Sequence, residues 1–64
     1  MKKFYVFRIV NHNGRKEYKR CKCVDSWVKD KTYCWKFSKQ GAKSIVDTYN
    51  AHSHGFYIYG FEEA

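Results

Sequence analysis

The sequence predicts an α+β fold: a four-stranded, mainly antiparallel sheet with one helix on one face, in the order β-β-β-α-β. Three observations lead to this prediction. Short runs of aromatic and β-branched residues are typical of strands, an Asn-Gly pair between the first two runs is typical of a hairpin turn, and one later segment has helical periodicity. Because the chain has only 64 residues, we expect one domain covering residues 1–64.

The first two strands are predicted to form a hairpin from residues 3–10 and 17–24, with Asn13 and Gly14 as a two-residue loop. In this register Phe7 lies opposite Arg20, and Tyr5 lies opposite Lys22. The hairpin then has a neutral face of Phe4, Val6, Cys21 and Cys23, and a mixed face of Tyr5, Phe7, Tyr18, Arg20 and Lys22. We expect the neutral face to be buried and the mixed face to be exposed.

The remaining elements follow from periodicity. Residues 25–32 are predicted to be an irregular connection, and the alternation of apolar residues over residues 33–37 predicts the third strand. Ser38 is a suitable N-cap for the helix, whose apolar stripe is Ala42, Ile45, Val46 and Tyr49. Residues 56–61 form the last strand, and its side bearing Tyr57, Tyr59 and Phe61 could be exposed, so a homodimer is possible.

Charge and composition limit the classes of function. Thirteen Lys and Arg residues oppose six Asp and Glu residues, which gives a net charge of +7 and favours a polyanion or an acidic protein as partner. All the basic residues lie within residues 1–43. Aromatic residues make up 20% of the chain, too many for a disordered basic tail. An acidic DNA mimic and a multidomain enzyme are also excluded.

The mixed face of the hairpin is the predicted binding site. Single-stranded nucleic acid is bound by aromatic side chains that stack on bases and by cations that contact phosphates. The predicted stacking residues are Tyr5, Phe7 and Tyr18, and the predicted phosphate contacts are Arg15, Lys16, Arg20 and Lys22. The element order and sequence do not match an RNA-recognition motif. The alternative is that the aromatic residues of this face belong to the core.

Metal binding and catalysis are weaker hypotheses. The Cys-x-Cys spacing does not suit a zinc knuckle, although Cys21, Cys23, His52 and His54 could together supply four ligands. A nuclease could use His12, His52 or His54, but nothing in the sequence brings them together. We therefore expect no metal, no cofactor and no enzymatic activity.

Cysteine usage and hydropathy bear on location. Three cysteines in so short a chain do not form the even set of a disulfide scaffold, which favours a reducing cytoplasm. No apolar run approaches the ~20 residues needed to span a bilayer. We expect a cytoplasmic protein without a membrane partner.

Residues 34–50 resemble an element of short accessory proteins from tailed bacteriophages. The shared pattern, W-K-F-S-K-x-x-A-x-x-I, is an aromatic strand followed by a Ser-capped helix, and here it runs from Trp35 to Ile45. The resemblance implies host takeover or counter-defence in the host cytoplasm, and it carries no site residues across. It also supplies an alternative function, in which the chain inhibits a host protein, such as a defence system, toxin or nuclease, by binding an acidic patch.

Overall fold

The computed structural model describes residues 2–22 and 24–64, which form an antiparallel sheet and one helix. The elements are β1 (Phe4–Val10), β2 (Lys16–Lys19), β3 (Trp27–Val28), α1 (Lys39–His52) and β4 (Tyr57–Glu63). The strand order across the sheet is β3-β2-β1-β4. The predicted α+β class, with four strands and one helix, is therefore confirmed.

The third strand lies at a different place from the predicted one. Trp27 and Val28 pair with Lys19 and Tyr18 of β2, whereas residues 33–37 form no strand and contribute the isolated bridge between Phe37 and Phe4. The intervening turn is held by the amide of Arg20, which donates to the Ser26 carbonyl at 2.8 Å. This second hairpin brings the Trp27 indole within 5.6 Å of the rings of Tyr49 and Tyr59, measured between centroids. Burial of that large ring favours β3 in the segment that alternation alone would leave irregular.

Lys19 reinforces the same turn. Its side chain is only 4% exposed, and its ammonium donates to the Val24 carbonyl at 3.0 Å. The rings of Trp27 and Tyr49 lie 5.7 and 5.6 Å from the same nitrogen. A carbonyl and two aromatic faces therefore compensate for much of the water that this buried cation has lost.

The hairpin of β1 and β2 has a longer loop than predicted. Phe7 pairs with Tyr18 instead of Arg20, and residues 11–15 separate the two strands. Only Gly14 in this loop has a positive φ, of 70°, while Asn13 accepts a hydrogen bond from the Arg15 amide at 2.9 Å. The register differs by two residues, and side chains alternate with a period of two, so the residues of β1 and β2 keep their predicted faces.

The core between α1 and the sheet is the predicted one. Ser38 caps the helix by accepting a hydrogen bond from the Gly41 amide at 3.1 Å. Ala42 and Val46 are buried against Val6 and Phe37, and Phe4, Ile45, Tyr59 and Phe61 pack around them. Phe4 and Val6 of the neutral face thus lie beneath the helix, as predicted, whereas Cys21 is not part of this core and Cys23 lies outside the described residues. Within the described residues, no helix is long and apolar enough to cross a membrane.

β4 forms one edge of the sheet, next to β1. Its aromatic side chains face the helix, and the opposite side presents exposed Ile58, with Phe56 exposed just before the strand. The expectation that Tyr57, Tyr59 and Phe61 form the exposed side is therefore wrong. Asn50 of α1 covers part of the edge, because its side-chain amide accepts from the Tyr59 amide at 3.2 Å and donates to the Tyr59 carbonyl at 3.3 Å.

The second face of the sheet is partly covered by residues 29–35. Tyr5 and Tyr18 are buried there with Cys34, and Phe7 and Val28 pack against them. Lys31 extends over both tyrosine rings and reaches Glu62 at 3.1 Å. Lys16 reaches the same carboxylate at 2.7 Å, so Glu62 joins the loop, β2 and β4. The hydrogen bonds from Lys16 and Lys31 lower the pKa of Glu62.

Replacing Glu62 should remove an acid-sensitive part of the stability. A carboxyl whose pKa is lowered by folding stabilises the native state above its unfolded pKa, near ~4.3, and this contribution is lost as the pH falls through the folded value. We expect Glu62→Gln to cost about 1 kcal/mol at neutral pH and to flatten the loss of stability below about pH 4.3. Urea unfolding over this pH range measures both effects. Glu63→Gln is the matched control, because among the described residues the Glu63 carboxylate has one ion pair, an exposed contact with Lys2 at 3.8 Å. Equal pH profiles for the two variants would contradict the assignment.

Replacing Asn50 should uncover the β4 edge. Alanine has a higher helix propensity than asparagine, so Asn50→Ala would stabilise an isolated helix. We nevertheless expect it to lower the free energy of unfolding by about 1 kcal/mol, because the Tyr59 amide and carbonyl lose their partner. Chemical denaturation measures this loss, and sedimentation at increasing concentration detects edge-to-edge association. A stabilised, strictly monomeric variant would show that the Asn50 contact does not protect the edge.

Candidate nucleic-acid interface

The predicted stacking residues do not form an open surface. Tyr5 and Tyr18 are each only 9% exposed, and their rings meet edge to face with centroids 6.0 Å apart. The ring of Phe7 contacts Tyr18 in the same way and lies against the backbone of Gly60, where a Cβ atom would approach Phe7 Cζ to 2.7 Å. The predicted exposure of this face is therefore wrong, because residues 29–35 cover it.

The predicted phosphate contacts divide into two groups. Arg15 and Lys16 lie at the turn end of β2, and Lys16 is engaged with Glu62 and with the face of the Phe7 ring at 4.3 Å. Arg20 and Lys22 follow the other end of β2, and both are exposed. The seven predicted site residues are therefore not brought together as one binding surface.

Arg20 and Lys22 instead lie beside two exposed aromatic residues that the sequence interpretation assigned to a strand. Tyr33 is 88% exposed and Trp35 is 49% exposed. An open cavity of about 760 Å³ lies between these groups. We call its outer part the Trp35 surface, which consists of Tyr33, Trp35 and Val24 with the cations Lys3, Arg20, Lys22 and Lys36.

The backbone around Trp35 is fixed from both sides. The Trp35 amide donates to the Arg20 carbonyl at 2.9 Å, and Phe37 exchanges hydrogen bonds of 2.7 and 2.8 Å with Phe4. On the other side, the Cys34 amide donates to the Lys31 carbonyl at 3.1 Å, and the Cys34 side chain is buried. Trp35 is thus held between two anchored residues, which lowers the entropy lost when a ligand binds to it.

The turn before Cys34 explains why alternation misplaced these rings. A regular strand would place Tyr33, Trp35 and Phe37 on one side, yet only Phe37 is buried. Because residues 32–33 form a turn, Cys34 points into the second core while Trp35 faces solvent. The available sequence signal was the position of two aromatic residues between Lys31 and Lys36, directly after a polar turn.

The charged residues that line the cavity of the Trp35 surface are all cations. Four cations line the cavity, and none of the six acidic residues, all of which belong to the described part of the chain, does so. The carboxylates are engaged elsewhere, such as Glu17 with Arg8 at 2.8 Å and Asp25 with the Trp27 indole at 2.7 Å. Lys22 lies near the Trp35 ring, with its nitrogen 5.8 Å from the centroid. The surface therefore combines an apolar aromatic centre with a cationic border.

The cysteine and histidine hypotheses gain no geometric support within residues 2–22 and 24–64, where no group of three metal-binding side chains occurs. Cys23, one of the four proposed ligands, lies outside the described residues. Burial raises the pKa of the Cys34 thiol, which keeps it protonated and a poor nucleophile at neutral pH. His52 lies 2.9 Å from the Thr48 carbonyl, and His12 and His54 are exposed in loops.

The side chains of the Trp35 surface indicate which ligands it can bind. Its rings and cations are the groups that bind unstacked bases and phosphates in single-stranded nucleic acids. No relative adds to this interpretation, because no protein-family model, curated protein or solved structure matches the chain.

Proposed function

We propose that this protein is a non-catalytic binding protein for RNA or single-stranded DNA, and that the Trp35 surface is its binding site. The observation that carries the proposal is the exposure of Tyr33 and Trp35 in a cavity that four cations also line. Large aromatic side chains are usually at least partly buried in a small domain, so the exposure of two of them beside cations indicates a binding site. This site replaces the predicted one and keeps only Arg20 and Lys22 from it.

A single strand suits this surface better than a duplex. Stacking on a protein ring requires a base that is not already stacked between two neighbours, and each such contact contributes ~1 to 3 kcal/mol. The Tyr33 ring is almost fully exposed, so a base can reach its face without any rearrangement of the protein. The cations Lys3, Arg20, Lys22 and Lys36 would then contact the phosphates on either side.

The resemblance of residues 34–50 to phage accessory proteins bears on the biological setting, because this segment contains Trp35 and Lys36. In that setting the ligand would be host or phage RNA, or single-stranded DNA, in the cytoplasm of an infected cell. The rival function is inhibition of a host protein through an acidic patch. Exposed Phe56 and Ile58 favour it, because they are large apolar side chains at the β4 edge of the sheet and neither lines the cavity of the Trp35 surface.

Substitution of Tyr33 tests the proposal directly. We expect Tyr33→Ala to weaken binding of a short single-stranded oligonucleotide by ~1 to 3 kcal/mol, because one stacking contact is lost. Its thermal unfolding should remain that of the wild type, since the Tyr33 side chain is 88% exposed. Fluorescence anisotropy in low salt measures the affinity. Phe56→Ala is the matched control, because it removes another exposed ring, one that lies outside the Trp35 surface, and should leave the affinity unchanged.

The salt dependence of the same titration provides a second measure. Each phosphate neutralised on a single strand contributes a slope of about −0.7 to the logarithm of affinity against the logarithm of salt concentration, so four contacts give about −3. Failure of the wild type to bind RNA and DNA oligonucleotides in low salt would overturn the proposal, as would unchanged affinity in Tyr33→Ala. Recovery of a host protein from a lysate after nuclease treatment, together with such a failure, would support the inhibitor function instead.

A further inference from the structure

The cavity of the Trp35 surface continues along the helix. A second cavity of about 510 Å³ shares Lys3, Lys22, Trp35 and Lys36 with the first. It extends from these residues to the first two turns of α1, where Gly41, Ser44 and Ile45 line it. The two cavities therefore form one groove that bends around the Trp35 side chain, and we call its second part the helix groove.

The helix groove is open to a polyanion. Lys3, Lys22 and Lys36 border its beginning, and the first turn of α1 contains no acidic residue. Gly41 and Ser44 have short side chains, so a chain could lie close to the helix here. The groove thus offers both space and positive charge to a strand that has passed Trp35.

The positive charge decreases beyond Ser44. A third cavity, of about 320 Å³, shares Lys22, Ser44 and Ile45 with the helix groove, and it is lined by Lys19 and by the carboxylate of Asp25. Hydrogen bonds from the Trp27 indole and from the Tyr49 hydroxyl, at 2.7 and 3.0 Å, hold this carboxylate in place. A phosphate that advanced past Ser44 would leave Lys3 and Lys36 behind and approach a carboxylate held in place, so the attraction for a polyanion is weaker there than in the helix groove.

We infer that the ligand is a strand of several nucleotides, which stacks on Tyr33 and Trp35 and then follows the helix groove as far as Ser44. This inference rests on the proposed function and narrows it, because a mononucleotide or dinucleotide would occupy only the Trp35 surface. The helix groove then adds affinity for the longer ligand. The cations shared by both cavities, Lys3, Lys22 and Lys36, lie at the bend.

An NMR titration with two lengths of oligothymidylate tests the inference. A dinucleotide should shift the Trp35 indole signal and leave the amides of Gly41 and Ser44 in place. An octanucleotide should shift all of these signals and bind more tightly. Ser44→Glu places a negative charge in the helix groove at an exposed position, and it should weaken octanucleotide binding about fivefold while leaving dinucleotide binding unchanged.

Gln40→Glu is the matched control. It adds the same charge to the same helix, but Gln40 lines a different cavity with Lys2, Phe4 and Glu63, so octanucleotide binding should change little. An octanucleotide that shifts Trp35 without moving Gly41 and Ser44, and whose affinity equals that of the dinucleotide, would overturn the inference and leave the proposed function intact. Absence of any shift with either ligand would overturn the proposed function itself. The chemical-shift changes of the wild-type protein test the inference even if Ser44→Glu fails to fold.

Discussion

The pairing of Phe37 with Phe4 is the interaction on which the rest of the structure depends. Phe37 is buried beneath α1, and both of its backbone polar groups bond to Phe4 in the central strand β1. Trp35 precedes this anchor by two residues, and the helix cap Ser38 follows it directly. One short contact therefore fixes the position of the exposed aromatic residues and the start of the helix. The groove that bends from Trp35 to Ser44 exists because both sides of it are joined at Phe37.

A chain of this size covers both faces of its sheet by different means. The helix covers one face with aliphatic and aromatic side chains, as expected for an amphipathic segment. The other face is covered by a loop that contributes little apolar surface besides Cys34. Tyrosine edges and lysine ammonium groups complete this second cluster, with Lys16 and Lys31 placed against aromatic rings and bonded to Glu62. Cations thus serve as structural groups here, which accounts for part of the strongly basic composition.

The elements that the sequence predicts correctly are those whose apolar residues recur at a regular spacing, because this spacing places them on one buried face. The helix stripe, its Ser38 cap and the buried face of the hairpin were all predictable, because these patterns depend on nearby residues. The location of β3 was not, since it depends on the Trp27 ring reaching Tyr49 and Tyr59, which are distant in sequence. The sequence predicts two of the cations of the candidate site but not its exposed aromatic residues. Arg20 and Lys22 were identified from charge, whereas the exposure of Trp35 depends on a turn at residues 32–33 that breaks the alternation.

Acidic and basic residues are unevenly distributed along the chain. Strand pairing makes their distribution uneven across the sheet as well. Residues 1–43 contain all thirteen Lys and Arg residues and three acidic residues, and residues 44–64 contain three acidic residues and no Lys or Arg. Because β4 pairs with β1, Glu62 and Glu63 lie near Lys16, Lys31 and Lys2 and neutralise cations on that side. The positive charge beside Trp35 has no such compensation from an acidic residue lining its cavity.

The same topology separates two chemically different exposed areas. The Trp35 surface is aromatic and cationic, whereas the area around Phe56 and Ile58 is apolar and belongs to the part of the chain without Lys or Arg. The cations that line the first area would favour a polyanion, as proposed above, and neither Phe56 nor Ile58 lines that cavity. An apolar protein contact would suit only the second. The proposed nucleic-acid contact and a protein contact at Phe56 would therefore use different residues.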